Sequence, residues 1–435
     1  MNLIPKSLHP TKKQSDTDFT RQRKLTFPKL ITFLLYLSGS GRSSGVDTKS
    51  GIFFRNARRC GLWPEKSAVH RSAITKARSK ISWTVFQDLL GDAVNVAYQC
   101  WPDNPKYLWQ GMSVFAIDGS KYTLPATPEI RAAFDPHSGL QYAGKGHYPQ
   151  CLVSTLYDVF RRFPVARQIE PRDTSERQAA KNLLPMIPAN SLVLFDQGYP
   201  SYEFILELQE NLPGYFMIRC PSQSTFPAVE KFIKTNKEED IIFLSPTNKY
   251  RRKVPCQQHN KLKSLKVRVV RLKSPDGSLS VILTNLRDGR KYPRQEIIDL
   301  YFRRWEIETY YRDEKIVLDI EKFHGHTCNS IRQELLAAAI MSVISRTLMV
   351  ISSELFENTE QEVQFKNAIM TLASEAAILA PEDPEKAVII FTEILEEISR
   401  VKYYRPKAPR PSRIRVTKKA INKWSTAKLK KTSNA

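Results

Sequence analysis

Cysteine pairs and long apolar runs are both scarce in this sequence. Its 6 cysteines are widely separated, which argues against a disulfide framework and against a structural zinc site. The longest apolar segments, residues 30–37 and 335–351, fall short of the roughly 20 uninterrupted apolar residues of a membrane span, since Arg346 interrupts the second. The N-terminus also lacks the apolar core of a secretory signal. We therefore expect a cytoplasmic protein with no membrane partner.

Acidic residues are also in short supply. The chain has 44 Asp and Glu against 67 Lys and Arg, which gives a net charge of +23. A surplus of this size predicts a polyanionic partner, either nucleic acid or an anionic membrane surface. The basic residues are concentrated in residues 401–435, which are rich in proline, and in residues 249–291, where alternating segments predict a β-hairpin with one basic face. Neither segment resembles an amphipathic membrane helix, which favours nucleic acid.

The spacing of apolar residues divides the chain into regions of different predicted secondary structure. Helix-like periodicity near both ends flanks a middle part in which short apolar runs alternate with helical stretches, and this order is typical of an α/β core. The expected regions, in chain order, are a helical N-terminal DNA-binding region (1–105), the first part of the core (106–221), a β-rich insertion (222–291), the second part of the core (292–346), a helical C-terminal region (347–400) and a basic tail (401–435).

Two aspartates each follow a short apolar run that is predicted to be a strand. Asp118 stands in Ile-Asp-Gly-Ser, and Asp196 stands in Phe-Asp-Gln-Gly-Tyr. Ligands of α/β sheets bind at the carboxyl ends of strands, so the two carboxylates could share a metal site. Each motif alone is more typical of a turn than of a site, whereas the pair in matching context is about equally typical of either. The segment Thr174-Ser-Glu-Arg177 is more typical of a helix cap than of a site.

A helix predicted over residues 300–315 carries a stripe of residues spaced by three and four positions. The stripe consists of Tyr301, Arg304, Glu308, Tyr311 and Lys315. Glu308 is the best candidate for a third metal ligand, because Glu306 points to the opposite side. Cations beside that acid would suit a face that meets phosphate. The alternative is an exposed helix stabilised by charge pairs between successive turns.

The two aspartates, together with the pattern Tyr-x2-Arg-x3-Glu-x6-Lys over residues 301–315, resemble the signature of the bacterial insertion-sequence-four family of DDE transposases. The resemblance covers roughly residues 110–330. It implies an α/β fold: a ribonuclease H-like mixed five-stranded sheet with flanking helices, a β-rich insertion, and helical N- and C-terminal regions. Asp118 would lie on the first strand, Asp196 after the fourth strand and Glu308 on a later helix.

The resemblance also implies the composition of the site. Asp118, Asp196 and Glu308 would be catalytic and would hold two Mg²⁺ ions, for which Mn²⁺ could substitute. The residues that would contact DNA are Tyr301, Arg304 and Lys315 on the helix, Trp305, for which a place in the core is an equal alternative, and Lys145 on a glycine-rich loop.

The implied function is cut-and-paste movement of an insertion sequence by metal-dependent phosphodiester hydrolysis and strand transfer. Its partners would be double-stranded DNA, both the terminal repeats of the element and the target, and a second copy of the chain in a synaptic homodimer. Such a protein would work in the bacterial cytoplasm and associate with the nucleoid when bound to DNA. Two alternatives stay open, namely a non-catalytic DNA-binding protein or transposition inhibitor on the same scaffold, and a ribonuclease H-like nuclease without strand transfer.

Overall fold

Most of the chain is described by a computed structural model. The described residues are 19, 24–41, 44–64, 67–137, 148–255, 262–273, 278–356 and 361–403. Lys145, the turn at residues 274–277 and the basic tail from residue 404 onward lie outside the described residues. The five cysteines in the described ranges are all free thiols.

Four helices form the N-terminal region. They are α1 (Phe27–Gly39), α2 (Val46–Arg59), α3 (Arg71–Arg78) and α4 (Thr84–Cys100). Apolar residues lie on every side of α1 rather than on one stripe, and almost the whole helix is buried. The sequence analysis did not identify α2, whose apolar residues are few and are outnumbered by polar ones.

Five strands form the sheet expected for a ribonuclease H-like core. They are β1 (Ser113–Thr123), β2 (Gln150–Asp158), β3 (Phe163–Pro171), β4 (Ser191–Phe195) and β5 (Tyr215–Pro221). The first three are antiparallel neighbours, whereas β4 runs parallel to β1 and β5 runs parallel to β4, which gives the order β3-β2-β1-β4-β5. The helices that follow β1, β3 and β4 are α5 (Pro128–Phe134), α6 (Glu176–Lys181) and α7 (Tyr202–Asn211). The mixed sheet with flanking helices confirms the predicted fold class.

The insertion extends this sheet instead of forming a separate one. Its elements are α8 (Pro227–Ile233), β6 (Glu239–Leu244), α9 (Asn248–Arg251), β7 (Leu265–Lys273) and β8 (Leu279–Thr284). Because β8 pairs with β5, and β7 lies between β8 and β6, the described sheet has eight strands. The predicted basic face is wrong. Lys266 and Arg271 lie on opposite faces of β7, and Arg268 is only 2% exposed because its guanidinium binds Glu239 and backbone carbonyls.

One long helix joins the core to both helical regions. After α10 (Arg294–Phe302) and α11 (Trp305–Ile316), the chain forms α12 (Cys328–Leu355), which packs on α1, α4 and β3. It also packs on α13 (Phe365–Ser374) and α14 (Pro384–Arg400); β9 (Glu362–Val363) and β10 (Lys402–Tyr403) pair beside them. The boundary expected at residue 346 falls inside α12. In length and apolarity α12 could cross a membrane, but 83% of its most apolar window is buried inside the protein, as in a core helix.

Candidate active site

The register of β1 and β4 brings Asp118 and Asp196 to the same level of the sheet. The two strands are paired in parallel from Ser113 with Ser191 to Ala116 with Leu194. Each aspartate therefore lies two positions beyond the last pair, Asp118 on the continuing β1 and Asp196 immediately after β4. The two carboxylates that the sequence separates by 78 residues consequently share one edge.

The predicted stripe does not lie on one continuous helix. α10 ends at Phe302, and α11 begins at Trp305, so Tyr301 and Glu308 belong to different helices. Both helices nevertheless turn the expected residues toward the strands. The Tyr301 hydroxyl donates to the carbonyl of Phe195 at 3.2 Å, at the end of β4.

Three further hydrogen bonds fix α11 against β1 beside Asp118. The Tyr311 hydroxyl donates to the backbone carbonyl of Asp118 at 2.7 Å. One helical turn later, the Lys315 ammonium donates at 2.8 Å to the Ser120 hydroxyl and to the Lys121 carbonyl. Glu308 lies one turn before Tyr311, and it is therefore held at the edge where the aspartates lie.

All three predicted carboxylates surround one guanidinium. Nη2 of Arg304 lies 2.8 Å from Oε1 of Glu308 and 3.6 Å from Oδ1 of Asp196, and Nη1 lies 4.0 Å from Oδ2 of Asp118. The Arg304 side chain is only 3% exposed, whereas the carboxylates are exposed by 18% in Asp118, 34% in Asp196 and 30% in Glu308. A buried cation thus faces a partly open cluster of three anions.

Burial of the Asp118 carboxyl is the main determinant of its protonation. It raises the pKa from its ordinary value near 3.8 to about 7, against the opposing effects of Arg304 and of the Gly119 N–H, which donates to Oδ1. The nearby carboxylates of Glu176 and Asp196 raise this pKa further. Ionising Asp118 is therefore costly in the absence of added positive charge.

Asp118→Asn should stabilise the metal-free fold at pH 8 by roughly 2–4 kcal/mol. The pKa of Asp118 is higher in the folded chain than in the unfolded one, so ionisation costs folding free energy. That cost is absent below about pH 4, grows as the pH rises toward 7 and is then constant. Urea unfolding of both proteins between pH 4 and 8 measures the difference.

Asp240→Asn is the control of opposite sign, because the hydrogen bond from Lys237 lowers the pKa of Asp240. This substitution should slightly reduce the free energy of unfolding at neutral pH. A gain from Asp118→Asn that stayed the same at every pH would contradict the electrostatic explanation.

The other predicted DNA-binding residues differ in exposure. Tyr301 and Arg304 are each only 3% exposed, and both bind groups inside the protein. Lys315 binds β1 but reaches the surface. Trp305 is 43% exposed at the first position of α11, beneath the Arg304 guanidinium, rather than in the core. Lys145 lies outside the described residues.

Sequence reasoning missed the proximity of Glu176 to the site. Residues 174–177 were expected to cap a helix, and α6 does begin at Glu176, but the side chain of Ser175 makes no capping hydrogen bond. The Glu176 side chain instead lies between the glycines that follow the two aspartates. The sequence feature that could have indicated this proximity is the glycine that follows each aspartate, which is equally compatible with a turn.

More than half of the chain matches one family. The family model described as Transposase DDE domain matches residues 109–344, a span that contains Asp118, Asp196 and Glu308. The chain belongs to the DDE transposase family. This result confirms the resemblance to DDE transposases.

Curated relatives of this DDE transposase domain include the transposase InsG for insertion sequence element IS4 of Escherichia coli (strain K12). The two proteins are 26% identical over 279 residues, which are 63% of this chain and 58% of InsG. The chain thus spans less than two thirds of the length of this relative. Among solved structures, the piggyBac transposase synaptic complex with hairpin DNA is similar to this protein. The similarity covers 88% of this chain and 77% of the piggyBac chain, with 10% sequence identity and a TM-score of 0.40.

DDE transposases use divalent metal ions, and the donor chemistry of this domain suits such an ion, although the carboxylates lie around the Arg304 guanidinium and not close to one another. All three side chains offer carboxylate oxygens, the ligands that hard divalent cations prefer, and one guanidinium leaves the cluster with net negative charge. In the described part of the chain, no three acidic, histidine or cysteine side chains are grouped closely enough to hold a metal among them. The Arg304 guanidinium, a cation already at the centre, shows that this position favours positive charge.

Proposed function

We propose that this protein is a DNA transposase that moves its insertion sequence by metal-dependent hydrolysis of phosphodiester bonds and strand transfer at the element ends. The observation that carries the proposal is the convergence of Asp118, Asp196 and Glu308 on one guanidinium at the open edge of a ribonuclease H-like sheet. A carboxylate cluster next to bulk solvent suits a reaction on a large polymer, because the phosphate can approach from outside.

In this proposal Asp118, Asp196 and Glu308 hold two Mg²⁺ ions, with Mn²⁺ able to substitute. When bound, the ions would activate an oxygen nucleophile and neutralise charge on the phosphate. Arg304 balances the anionic cluster before substrate arrives and keeps Glu308 turned inward. Tyr311 and Lys315 fix the helix against β1, so that the third carboxylate keeps its distance from the first.

The proposed substrate is double-stranded DNA, namely the terminal repeats and the target. The net charge of +23 supports this choice. Trp305 offers an exposed ring on which a base could stack, and Lys315 offers a cation at the same edge. We assign further DNA binding to residues 1–105 and to the basic tail. Cutting both ends of an element calls for two active sites, and we therefore propose a homodimer that acts in the bacterial cytoplasm.

A cleavage and strand-transfer assay tests this function. DNA that carries the sequences flanking the gene is incubated with the full chain, with Mg²⁺ or with a chelator, and in parallel with Asp196→Ala. We expect 3′-hydroxyl ends and joined products that require the metal and are lost in the variant. Cleaved ends without joined products would identify a nuclease without strand transfer, and binding with neither product would identify a DNA-binding protein or inhibitor.

A further inference from the structure

The beginning of α6 is attached to the turn that carries Asp196. Nε and Nη2 of Arg177 donate to the carbonyl of Gly198 at 3.2 and 3.0 Å. Gly198 lies two residues after Asp196, so these bonds hold α6 at the edge of the sheet where the carboxylates lie. The residue before Arg177 is Glu176, which is half-buried and points into the same space.

Two glycines provide the space that the Glu176 side chain fills. A β-carbon at Gly119 would lie 3.1 Å from Cγ of Glu176, and one at Gly198 would lie 3.4 Å from Oε2. Neither glycine has a positive φ, so the backbone conformation does not require glycine at these positions. The lack of a side chain at each glycine instead leaves room for the Glu176 carboxylate beside both aspartates.

The electrostatics of the cluster agree with this placement. The carboxylates of Glu176 and Asp196 both repel that of Asp118, and the carboxylate of Asp196 repels that of Glu176. Nη1 of Arg304, on a side chain only 3% exposed, has no hydrogen-bond acceptor among the described residues and faces Asp118 at 4.0 Å. Three acidic groups thus surround a single buried cation, and Glu176 lies beside the glycines that follow two of them. An additional cation would relieve the repulsion among the four carboxylates.

We propose that Glu176 is a fourth carboxylate of the divalent-metal site, held in place by Gly119, Gly198 and Arg177. This inference rests on the proposed function, because it assigns a ligand to the same metal site. It adds a residue from α6 to a set that otherwise comes from β1, the end of β4 and α11. It also explains why the motifs Asp-Gly and Asp-x-Gly follow the two strands.

The test is the affinity of the full chain for Mn²⁺ in the absence of DNA, measured by titration calorimetry or by the electron paramagnetic resonance of free Mn²⁺. Glu176→Gln keeps the shape of the side chain, and we expect it to weaken binding at least about tenfold. Glu203→Gln is the matched control, since Glu203 lies exposed on α7 and pairs with Lys253. This control should bind Mn²⁺ as the wild type does.

A second substitution tests the role of the glycine. Gly119→Ala should weaken Mn²⁺ binding when Glu176 is present and should add a smaller loss in the Glu176→Gln background, because the added methyl group would lie 3.1 Å from Cγ of Glu176 and would shift its carboxylate. Circular dichroism confirms that each variant is folded. Equal losses from Gly119→Ala in both backgrounds would overturn the proposed contact.

Failure of this inference is distinguishable from failure of the proposed function. If Asp196→Asn abolishes Mn²⁺ binding and Glu176→Gln leaves it unchanged, Glu176 is not a ligand, and the transposase assignment stands. If the wild type binds no Mn²⁺ and cleaves no element-end DNA, both proposals fail.

Discussion

Glu308→Gln should lower the rate of DNA strand cleavage at least about a thousandfold while leaving DNA binding nearly unchanged. The substitution keeps the volume of the side chain and its ability to accept a hydrogen bond from Arg304, which lies 2.8 Å away, but removes the negative charge. In the proposed site, a bound divalent cation would lose one of its anionic ligands, and the reaction would lose the charge stabilisation that this ligand supports. Single-turnover cleavage of element-end DNA, together with a binding isotherm, measures the two quantities separately.

Glu306→Gln is the matched control on the same helix. Glu306 lies two residues earlier, and its carboxylate binds Nε of Arg162 at 3.1 Å, away from the carboxylate cluster. Its loss should change cleavage by less than a few fold. If the two variants cleaved DNA equally well, Glu308 would not be the third acidic residue of the site.

The acids could be predicted because short-range patterns determine them, whereas the five-stranded sheet was implied by the family resemblance. Asp118 and Asp196 each end a run of buried apolar residues, and the parallel pairing of β1 with β4 then places them together. Glu308 was identified from helical spacing, although the helix is interrupted between Phe302 and Trp305. Glu308 nevertheless lies near the two aspartates, because hydrogen bonds from Tyr301 and Tyr311 attach both helices to the ends of the strands.

What could not be predicted depends on contacts between distant segments. Arg304 has the sequence context of a surface residue, and its burial follows from the three carboxylates that surround it. The β-hairpin of the insertion had the alternation of a half-exposed sheet, but its pairing with β5 and its packing on both faces bury Arg268. Charge alone does not distinguish a DNA-binding cation from one that satisfies a buried acceptor.

Arg167→Met should reduce the free energy of unfolding by about 3–5 kcal/mol. The Arg167 side chain is fully buried on β3, and its Nη2 lies 2.8 Å from Oε1 of Glu314, which is 1% exposed on α11. The same guanidinium donates to the carbonyl of Leu335 on α12 at 2.8 Å, so it links β3 and α12 to α11, the helix that carries Glu308. Its removal leaves the carboxylate of Glu314 buried without its charged partner, although the hydroxyls of Tyr310 and Tyr122 still donate to it.

The double variant Arg167→Met with Glu314→Met separates this explanation from simple loss of packing. Removing both charges leaves no unpaired ion, so the double variant should be more stable than Arg167→Met alone, as measured by urea unfolding. Lys253→Met serves as the surface control, since its pair with Glu203 is about half-exposed and should contribute less than about 1 kcal/mol. If the free energy of unfolding of the double variant instead falls by the sum of the losses in the two single variants, the two side chains contribute through packing and not through their charges. Because Glu314 and Glu308 lie on the same helix, the buried pair stabilises the element that carries the third carboxylate.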